Sequence, residues 1–320
     1  MSACTSVGEM APPAMRRREP RARSTIVGDV RVHLDFPSEI TGLTRDVLVY
    51  LPPNYEVAKG ERYPVLYCQD GQNMMDRATA FLGVEWELDE ALEAGIEGGE
   101  IAPLIAVCVE NSKARADEYT PVVDRVTGGG GADRYLAFMR EELMSFIDRA
   151  YRTKRGPANT GILGSSLGGL LSMHAALDHG DAFGRVAAIS PSLWWAEGEI
   201  LDRMAYVTPC KGVRLWIDMG TREGGHGSRP VTPDPMIYAS RWARDLLVAG
   251  GMVLDSDLRY VEAARAEHTE RDWAARLPEV LRFLFPGENT GRLPWSARAA
   301  VPKPWWLDGA RTGDTRLITD

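Results

Sequence analysis

The sequence predicts an α/β fold in which a mostly parallel central sheet has an antiparallel N-terminal edge and helices on both faces. Short, continuously apolar runs alternate with segments of helical periodicity over most of the 320 residues, as in a parallel sheet that is covered on both faces. Two segments near the N-terminus instead alternate apolar and polar residues, as half-buried antiparallel strands do. We find no internal repeat.

The predicted elements follow one another in a regular order. The two alternating strands are IVGDVRVHLDF and RDVLVYL, and Pro52-Pro53 ends the second one. The predicted buried strands are YPVLYCQ, APLIAVCVE, NTGILGS, RVAAIS, VRLWIDMG and LDSDLRYV. Apolar residues at helical spacing predict helices over 85–94, 132–151, 167–179, 236–250 and 270–285. The irregular stretch from Asn111 to Gly131 is long enough to be functional or disordered.

The chain length suits one large α/β domain or two small ones, and we divide the chain into one domain between two extensions. Residues 1–25 hold five Arg and two Glu, which predicts a disordered basic tail. Residues 26–286 are the predicted catalytic domain. The stretch 286–320 holds three Trp and four Pro without clear periodicity, so we expect the extension 287–320 to pack on the domain.

Composition excludes several classes of function. The formal net charge is -8 and the isoelectric point is about 5.3, whereas phosphate binding needs a basic surface, so we expect no nucleic-acid partner. No apolar stretch approaches the roughly 20 residues that span a bilayer, so we expect no membrane association. Arg16-Arg17-Arg18 precede no apolar region of the kind found in export signals, which favours a cytoplasmic location.

The cysteines and histidines show no metal or redox pattern. Cys68 and Cys108 end apolar strands, where a free thiol packs as a small hydrophobic group. The sequence contains neither a C-x-x-C nor an H-E-x-x-H pattern. We therefore expect no metal and no cofactor.

A candidate nucleophile stands between a predicted strand and a predicted helix. Gly164-Ser165-Ser166-Leu167-Gly168 follows the pattern G-x-S-x-G at the turn from NTGIL into LGGLLSMHAAL. There the serine adopts a strained conformation that lifts its hydroxyl above the sheet, and glycines are needed because side chains would collide with the turn. The pattern in this context predicts an α/β-hydrolase fold with Ser166 as the nucleophile.

A serine nucleophile needs a histidine base and a carboxylate that orients it, in the chain order Ser, acid, His. We predict His268 as the base, because it follows the last strand and precedes the final helix. Core, surface or unsuitable loop positions are expected for His33, His174, His179 and His226. Glu223, on the loop after VRLWIDMG, is favoured as the acid over Asp218, which is still inside that strand.

The remaining site residues are predicted from their places on the same edge of the sheet. The backbone N–H groups of Gln72 and Leu167 are the expected oxyanion donors. Trp194 and Trp195 are adjacent, and we expect one of them to line a substrate pocket. Arg115 and Tyr119, in the long irregular stretch, are within reach of its mouth.

Several motifs together resemble an esterase family of α/β-hydrolases. These motifs are YLPPNYE, YPVLYCQDGQNMMD, EYTP, GILGSSLGG, ISPSLWW, GTRE and EHTERDW, and they span about residues 26–286. The family includes feruloyl and acetyl-xylan esterases, S-formylglutathione hydrolase (esterase D), siderophore trilactone esterases and mycolyltransferases. The resemblance implies the same triad, Ser166, Glu223 and His268, and the same oxyanion donors, Gln72 and Leu167.

The sequence departs from many relatives in having Asp70-Gly71 where they have His-Gly, and a Glu where several have an Asp as the acid. These departures bear on the substrate class more than on the chemistry. The leading hypothesis is a serine carboxylic-ester hydrolase whose partner is a small or medium ester, and a homo-oligomer is compatible with it. A siderophore trilactone esterase, an acyltransferase and a catalytically silent binding domain are the alternatives, because fold alone does not determine function.

Overall fold

The computed structural model describes residues 15–17, 24–224 and 234–290. Nine strands form the central sheet in the order β1-β2-β3-β5-β4-β8-β9-β10-β11, and β6 and β7 form a separate small hairpin. The strands are β1 (Met15–Arg17), β2 (Asp29–Pro37), β3 (Thr44–Leu51), β4 (Val65–Cys68), β5 (Ile105–Val109), β6 (Val123–Asp124), β7 (Gly128–Gly129), β8 (Thr160–Ser165), β9 (Arg185–Ile189), β10 (Arg214–Gly220) and β11 (Leu258–Ala263).

The pairing of these strands confirms the predicted fold class. β1, β2, β3 and β5 pair antiparallel, and every pairing from β5 through β4, β8, β9 and β10 to β11 is parallel. The helices are α1 (Leu88–Glu97), α2 (Arg115–Glu118), α3 (Ala132–Ala137), α4 (Met144–Ala150), α5 (Leu167–Asp178), α6 (Glu199–Met204), α7 (Pro235–Ala249), α8 (Glu270–Ala274) and α9 (Leu277–Leu284). A π-helical segment, Phe138–Leu143, joins α3 to α4.

Two hydrophobic cores lie on opposite faces of the sheet. In β5, Ile105, Val107 and Val109 belong to one core, and Ala106 and Cys108 belong to the other. Successive side chains of a strand point to opposite faces, so this division means that helices cover both faces. All five side chains are fully buried, and each large aliphatic one contributes about 1.5–3 kcal/mol of hydrophobic stabilisation.

The prediction of one C-terminal helix over 270–285 is wrong in one respect, because the structure has two helices there. α8 ends at Ala274, and α9 begins at Leu277 with Pro278 in its first turn. Proline has no N–H to donate, and its ring clashes with the preceding turn, so it favours a helix start over a helix interior. The break brings the side chain of Arg276, between the two helices, to the edge where Glu223 lies.

The extensions differ in part from their predictions. Three residues of the predicted disordered tail, Met15–Arg17, form β1 and pair antiparallel with β2, because β2 is otherwise an edge strand with free backbone groups. At the other end, the N–H groups of Gly287 and Asn289 donate to Glu100 and Gly99. Apart from residues 15–17, 24–25 and 287–290, the segments 1–25 and 287–320 lie outside the described residues. Within the described ranges, every helix is too short or too polar to cross a membrane.

Candidate active site

Ser166 occupies a strained turn between β8 and α5. Its backbone angles are φ 56° and ψ -120°, a combination that a non-glycine residue adopts only when its surroundings impose it. Its N–H donates to the carbonyl of Ile189 at 3.1 Å, which ties the turn to the end of β9. Ser166 is half-buried and lies at the carboxyl edge of the parallel strands.

Glycines around Ser166 allow this turn. A Cβ atom at Gly164 would lie 2.6 Å from the backbone of Gly168, and one at Gly169 would lie 2.8 Å from the carbonyl oxygen of Ile189. Both distances are far below ordinary contact, so any side chain there would push α5 away from the sheet. The glycine pattern is therefore a packing requirement of the serine turn.

Glu223 lies on the loop after β10 and holds His268 in a defined orientation. One of its carboxylate oxygens, Oε2, lies 2.9 Å from Nδ1 of His268, and the other accepts the N–H of Gly220 at 2.6 Å. The carboxylate side chain is 1% exposed, whereas the imidazole is 31% exposed. Because a carboxylate can only accept, Nδ1 carries the proton and Nε2 is left free to accept one.

His268 is also held by an aromatic contact. Its ring packs edge-to-face on Trp273, with the centroids 4.8 Å apart. Between the described residues Ser166 and His268 the structure has no hydrogen bond, and the hydroxyl of Ser166 lies 3.3 Å from that of Ser192. Catalytic hydrogen bonds are often long or poorly aligned before substrate binds and shorten in the enzyme–substrate complex.

A buried polar network lies behind the carboxylate, and the sequence analysis missed it. The hydroxyl of Ser190 donates to Oε1 of Glu223 at 2.5 Å and accepts from Arg276 at 2.8 Å and from the indole N–H of Trp273 at 3.1 Å. The guanidinium of Arg276 also donates to Asp218 at 3.1 Å. Ser190 is in ISPSLWW, but these contacts join segments that are distant in sequence, and no local pattern indicates them.

Asp218 is fully buried and bound within this network. Its Oδ1 accepts from Arg276 and, at 3.1 Å, from the backbone N–H of Ser190, while its Oδ2 accepts the indole N–H of Trp216 at 2.7 Å. These donors satisfy the buried charge, as a carboxylate inside a strand requires. The structure thus places Glu223, and not Asp218, against His268.

We expect Ser190→Ala to lower kcat by about tenfold with little change in KM. The variant leaves Oε1 of Glu223 without its hydroxyl donor, and a hydrogen bond to a charged group contributes about 1.5–3 kcal/mol. Looser positioning of the carboxylate then raises the barrier without changing substrate contacts. Steady-state kinetics on a short p-nitrophenyl ester measure both constants.

The matched control for Ser190→Ala is Ser240→Ala. Ser240 is also fully buried, and its hydroxyl bonds with Tyr260 and Ile237, away from the site. This variant should lose some stability and keep its kcat. Equal losses of kcat in the two variants would show that Ser190 has no specific role in positioning Glu223.

The predicted oxyanion donors lie on two adjoining segments. Leu167 is the first residue of α5, where backbone N–H groups have no acceptor within the helix. Gln72 lies in the 3₁₀ turn Gly71–Asn73 that follows β4. A Cβ atom at Gly168 would lie 3.3 Å from the Cβ of Gln69, so the chain leading into that turn packs against the start of α5.

Asp70 organises the turn that carries Gln72. Its backbone is left-handed, with φ 54°, and its carboxylate accepts two bonds from Arg115, at 2.6 and 2.8 Å, and one from Asn111 at 2.6 Å. Its N–H donates to the hydroxyl of Tyr119 at 3.2 Å. The residue that replaces the histidine of many relatives is thus the centre of a polar cluster.

One predicted pocket residue, Tyr119, is in a different place from that expected, and the two adjacent tryptophans differ in exposure. The prediction that Tyr119 reaches the pocket mouth is wrong, because this residue is fully buried beneath the Asp70 turn. Trp195 is 4% exposed, and its indole donates to the carbonyl of Val122 at 2.9 Å, so it packs inside the protein. Trp194 is 52% exposed and remains the candidate for substrate contact. Arg115 is half-buried and bound to Asp70.

The other described histidines lie away from the triad. His33 is buried and bonds with Tyr151, while His174 and His179 both contact Asp133, at 2.7 and 3.3 Å. His226 lies outside the described residues. Asp133, His174 and His179 could in principle hold a metal ion. However, Arg203 and Arg140 face the Nδ1 atoms of His174 and His179, which favours protons on Nε2, where a metal would bind.

Comparisons with known proteins identify the family to which the chain is similar. A protein-family model described as "Putative esterase" matches residues 38–284. YbbA of Bacillus subtilis (strain 168), an uncharacterised protein, is 30% identical over 262 residues, covering 80% of this chain and 98% of YbbA. The ferri-bacillibactin esterase BesA of the same species is 28% identical over 183 residues, covering 52% of this chain and 62% of BesA.

Solved structures share the fold. An IroE-like serine hydrolase from Shewanella oneidensis has a TM-score of 0.62 and 22% identity, over 80% of this chain and 79% of its own. The BES protein from Bacillus cereus has a TM-score of 0.59 and 19% identity, over 84% of this chain and 97% of its own. At these identities the comparison supports the fold alone, and the predicted α/β-hydrolase architecture is confirmed.

Proposed function

This chain belongs to the esterase family whose model it matches, and we propose that it hydrolyses carboxylic esters through an acyl-enzyme formed on Ser166. In this proposal His268 is the general base and Glu223 the acid that orients it. The backbone N–H groups of Gln72 and Leu167 donate hydrogen bonds to the oxyanion. The observation that carries the proposal is the bond from the buried Glu223 carboxylate to His268 at the edge where the strained Ser166 turn lies.

The first half of the reaction transfers the acyl group to the enzyme. The hydroxyl oxygen of Ser166 attacks the ester carbonyl carbon as its proton passes to Nε2 of His268. The carbonyl oxygen becomes negative in the tetrahedral intermediate, where each oxyanion donor is worth about 10²–10³-fold in rate. When the bond to the leaving alcohol breaks, His268 gives its proton to that alcohol, and the acyl group stays on Ser166.

The second half returns the free enzyme. A water molecule gives a proton to His268 as its oxygen attacks the acyl carbon, and the carboxylic acid leaves when Ser166 regains its proton. Throughout, Glu223 stays ionised and stabilises the imidazolium that forms twice in each cycle. An acyl acceptor other than water would turn the same steps into acyl transfer.

We propose a small or medium ester as the substrate, and a siderophore trilactone as the second candidate. The second is favoured by the similarity to BesA, a ferri-bacillibactin esterase that matches about half of this chain. The half-exposed indole of Trp194 offers a flat apolar surface to an aromatic or acyl group. We further propose a cytoplasmic location, because Cys68 and Cys108, adjacent in register in β4 and β5, are both free thiols.

The deciding experiment measures hydrolysis of p-nitrophenyl esters of two, four, eight and twelve carbons beside a trilactone of catechol-substituted serine. We expect turnover of at least one substrate and covalent labelling by a fluorophosphonate. Preference for the trilactone by kcat/KM would favour the second candidate, and product distribution with added alcohols would reveal acyl transfer. Folded protein that neither hydrolyses any ester nor takes the label would be a silent binding domain.

A further inference from the structure

Three acidic side chains form a buried cluster at the start of α1. Glu85 is 5% exposed, Asp89 is fully buried and Glu90 is half-buried. Each contributes a carboxylate oxygen, and these oxygens lie within 4.8 Å of one another. Such proximity of three anions in a poorly solvated place requires something that compensates their charge.

The protein supplies only part of that compensation. Glu85 accepts the hydroxyl of Thr25 at 2.5 Å, and Asp89 accepts the N–H of Val27 at 2.7 Å. Three other oxygens are buried without any hydrogen-bond partner: Oε2 of Glu85, Oδ1 of Asp89 and Oε2 of Glu90. Among the described residues, no Lys, Arg or His forms an ion pair with any of the three carboxylates.

The side chains around the three carboxylates carry more negative than positive charge. Burial raises the pKa of Glu85, and the carboxylates of Glu90 and Asp76 raise it further, whereas the hydroxyl of Thr25 and the cation of Arg77 lower it. Nearby, the carboxylate of Glu93 accepts a hydrogen bond from the hydroxyl of Tyr50. Burial raises the pKa of Asp89, and the contact with Glu90 raises it further. A proton shared between Asp89 and Glu90 is therefore one way to neutralise the cluster, and a bound cation is the other.

We propose that Glu85, Asp89 and Glu90 bind a divalent cation of the calcium class. Carboxylate oxygens are the ligands that hard cations prefer, and three of them in one place provide the charge that tight calcium sites have. A single divalent ion would compensate the charge of all three neighbouring carboxylates, whereas one shared proton neutralises only one of them. Residues 24–27 already form hydrogen bonds with Asp76, Glu85 and Asp89. The ion would therefore also stabilise the packing of residues 24–27 against the start of α1.

The test measures thermal unfolding of the full chain after treatment with EGTA. We expect added Ca²⁺ to raise Tm by about 5 °C at pH 8 when its free concentration is a hundred times the dissociation constant. Equilibrium dialysis should give one Ca²⁺ per chain. At pH 5.5 the shift should be smaller, because a proton on Asp89 competes with the ion.

Two variants locate the site. Asp89→Asn should remove both the Ca²⁺-dependent shift and the bound ion, and Glu90→Gln serves the same purpose if the first variant does not fold. Asp133→Asn is the matched control, because it alters the other cluster of potential ligands and should leave the shift unchanged. Loss of the shift in Asp133→Asn alone would place the ion at the histidine cluster and overturn the proposal.

The shared proton predicts a different result. An acid whose pKa is raised by folding stabilises the protein below its unfolded pKa, and that stability is lost as the pH rises through the folded value. Without an ion, Tm should therefore fall between about pH 4 and pH 9, and Asp89→Asn should flatten this dependence. Such behaviour with no response to Ca²⁺, Mg²⁺ or Mn²⁺ in the wild type would overturn the proposal. Ester hydrolysis is not the readout, so the result is independent of the proposed function.

Discussion

Ser166→Ala is expected to lower kcat for p-nitrophenyl butyrate by about 10⁴-fold or more, down to the limit of detection. The variant lacks the oxygen that attacks the carbonyl, while the oxyanion donors and the Glu223–His268 pair remain. Alanine keeps the Cβ atom of serine, so the strained turn at φ 56° should form as before. Circular dichroism and Tm should therefore match the wild type.

The matched control for this variant is Ser165→Ala. Ser165 is the neighbouring serine, 4% exposed at the end of β8, and successive strand residues point to opposite sides. We expect it to keep most of its activity and its fluorophosphonate labelling. A folded Ser166→Ala protein that remains active, together with an inactive Ser165→Ala protein, would contradict the assignment of the nucleophile.

Glu223→Gln is expected to lower kcat by about 10³–10⁴-fold with little loss of stability. Glutamine has almost the same shape, but it has no negative charge to stabilise the imidazolium of His268. Its amide can also turn its NH₂ group toward Nδ1, which would leave the wrong nitrogen of the ring protonated. The rate should fall at every pH, and pre-steady-state kinetics should show slower acylation.

Asp218→Asn provides the comparison for the acid. Asp218 is fully buried and paired with Arg276 at 3.1 Å, so the variant leaves the buried guanidinium with only Glu223, at 3.9 Å, as its counter-charge. Removal of one partner of a buried pair costs about 3–5 kcal/mol, and we expect a clear drop in Tm. Its kcat should fall far less than that of Glu223→Gln. The opposite ranking of the two variants in kcat would make Asp218 the acid.

Local sequence accounts for most of the fold. Buried strands such as β5 are short apolar runs, and α5 and α7 begin and end within one residue of their predicted bounds. The strand–turn–helix around Ser166 was predictable because its glycines and its conformation are properties of adjacent residues. The break between α8 and α9 depends on Pro278, which is visible in the sequence but was outweighed by the apolar periodicity of the segment.

Long-range contacts decide the rest. Glu223 and Asp218 are five residues apart and reach the same edge, so spacing favours one acid without excluding the other. Which of the two carboxylates contacts the histidine depends on the position of the charged guanidinium of Arg276, a residue between two later helices. Likewise, Trp194 and Trp195 are the same residue type side by side, and only packing against Val122 buries the second.

The sequence by itself determined the layered fold and the serine turn, because both depend on residues close together in the chain. The order of the candidate nucleophile, acid and base is a prediction from the motifs, since Ser166, Glu223 and His268 are far apart in the sequence. Tertiary structure alone decided which carboxylate bonds to His268 and that Ser190 donates a hydrogen bond to that carboxylate. It also decided that Tyr119 lies beneath the Asp70 turn. The physical reason is that a buried charge or hydroxyl takes its partner from whatever packs against it. Around Glu223 those partners lie up to 86 residues apart in the chain, as Arg276 and Ser190 show.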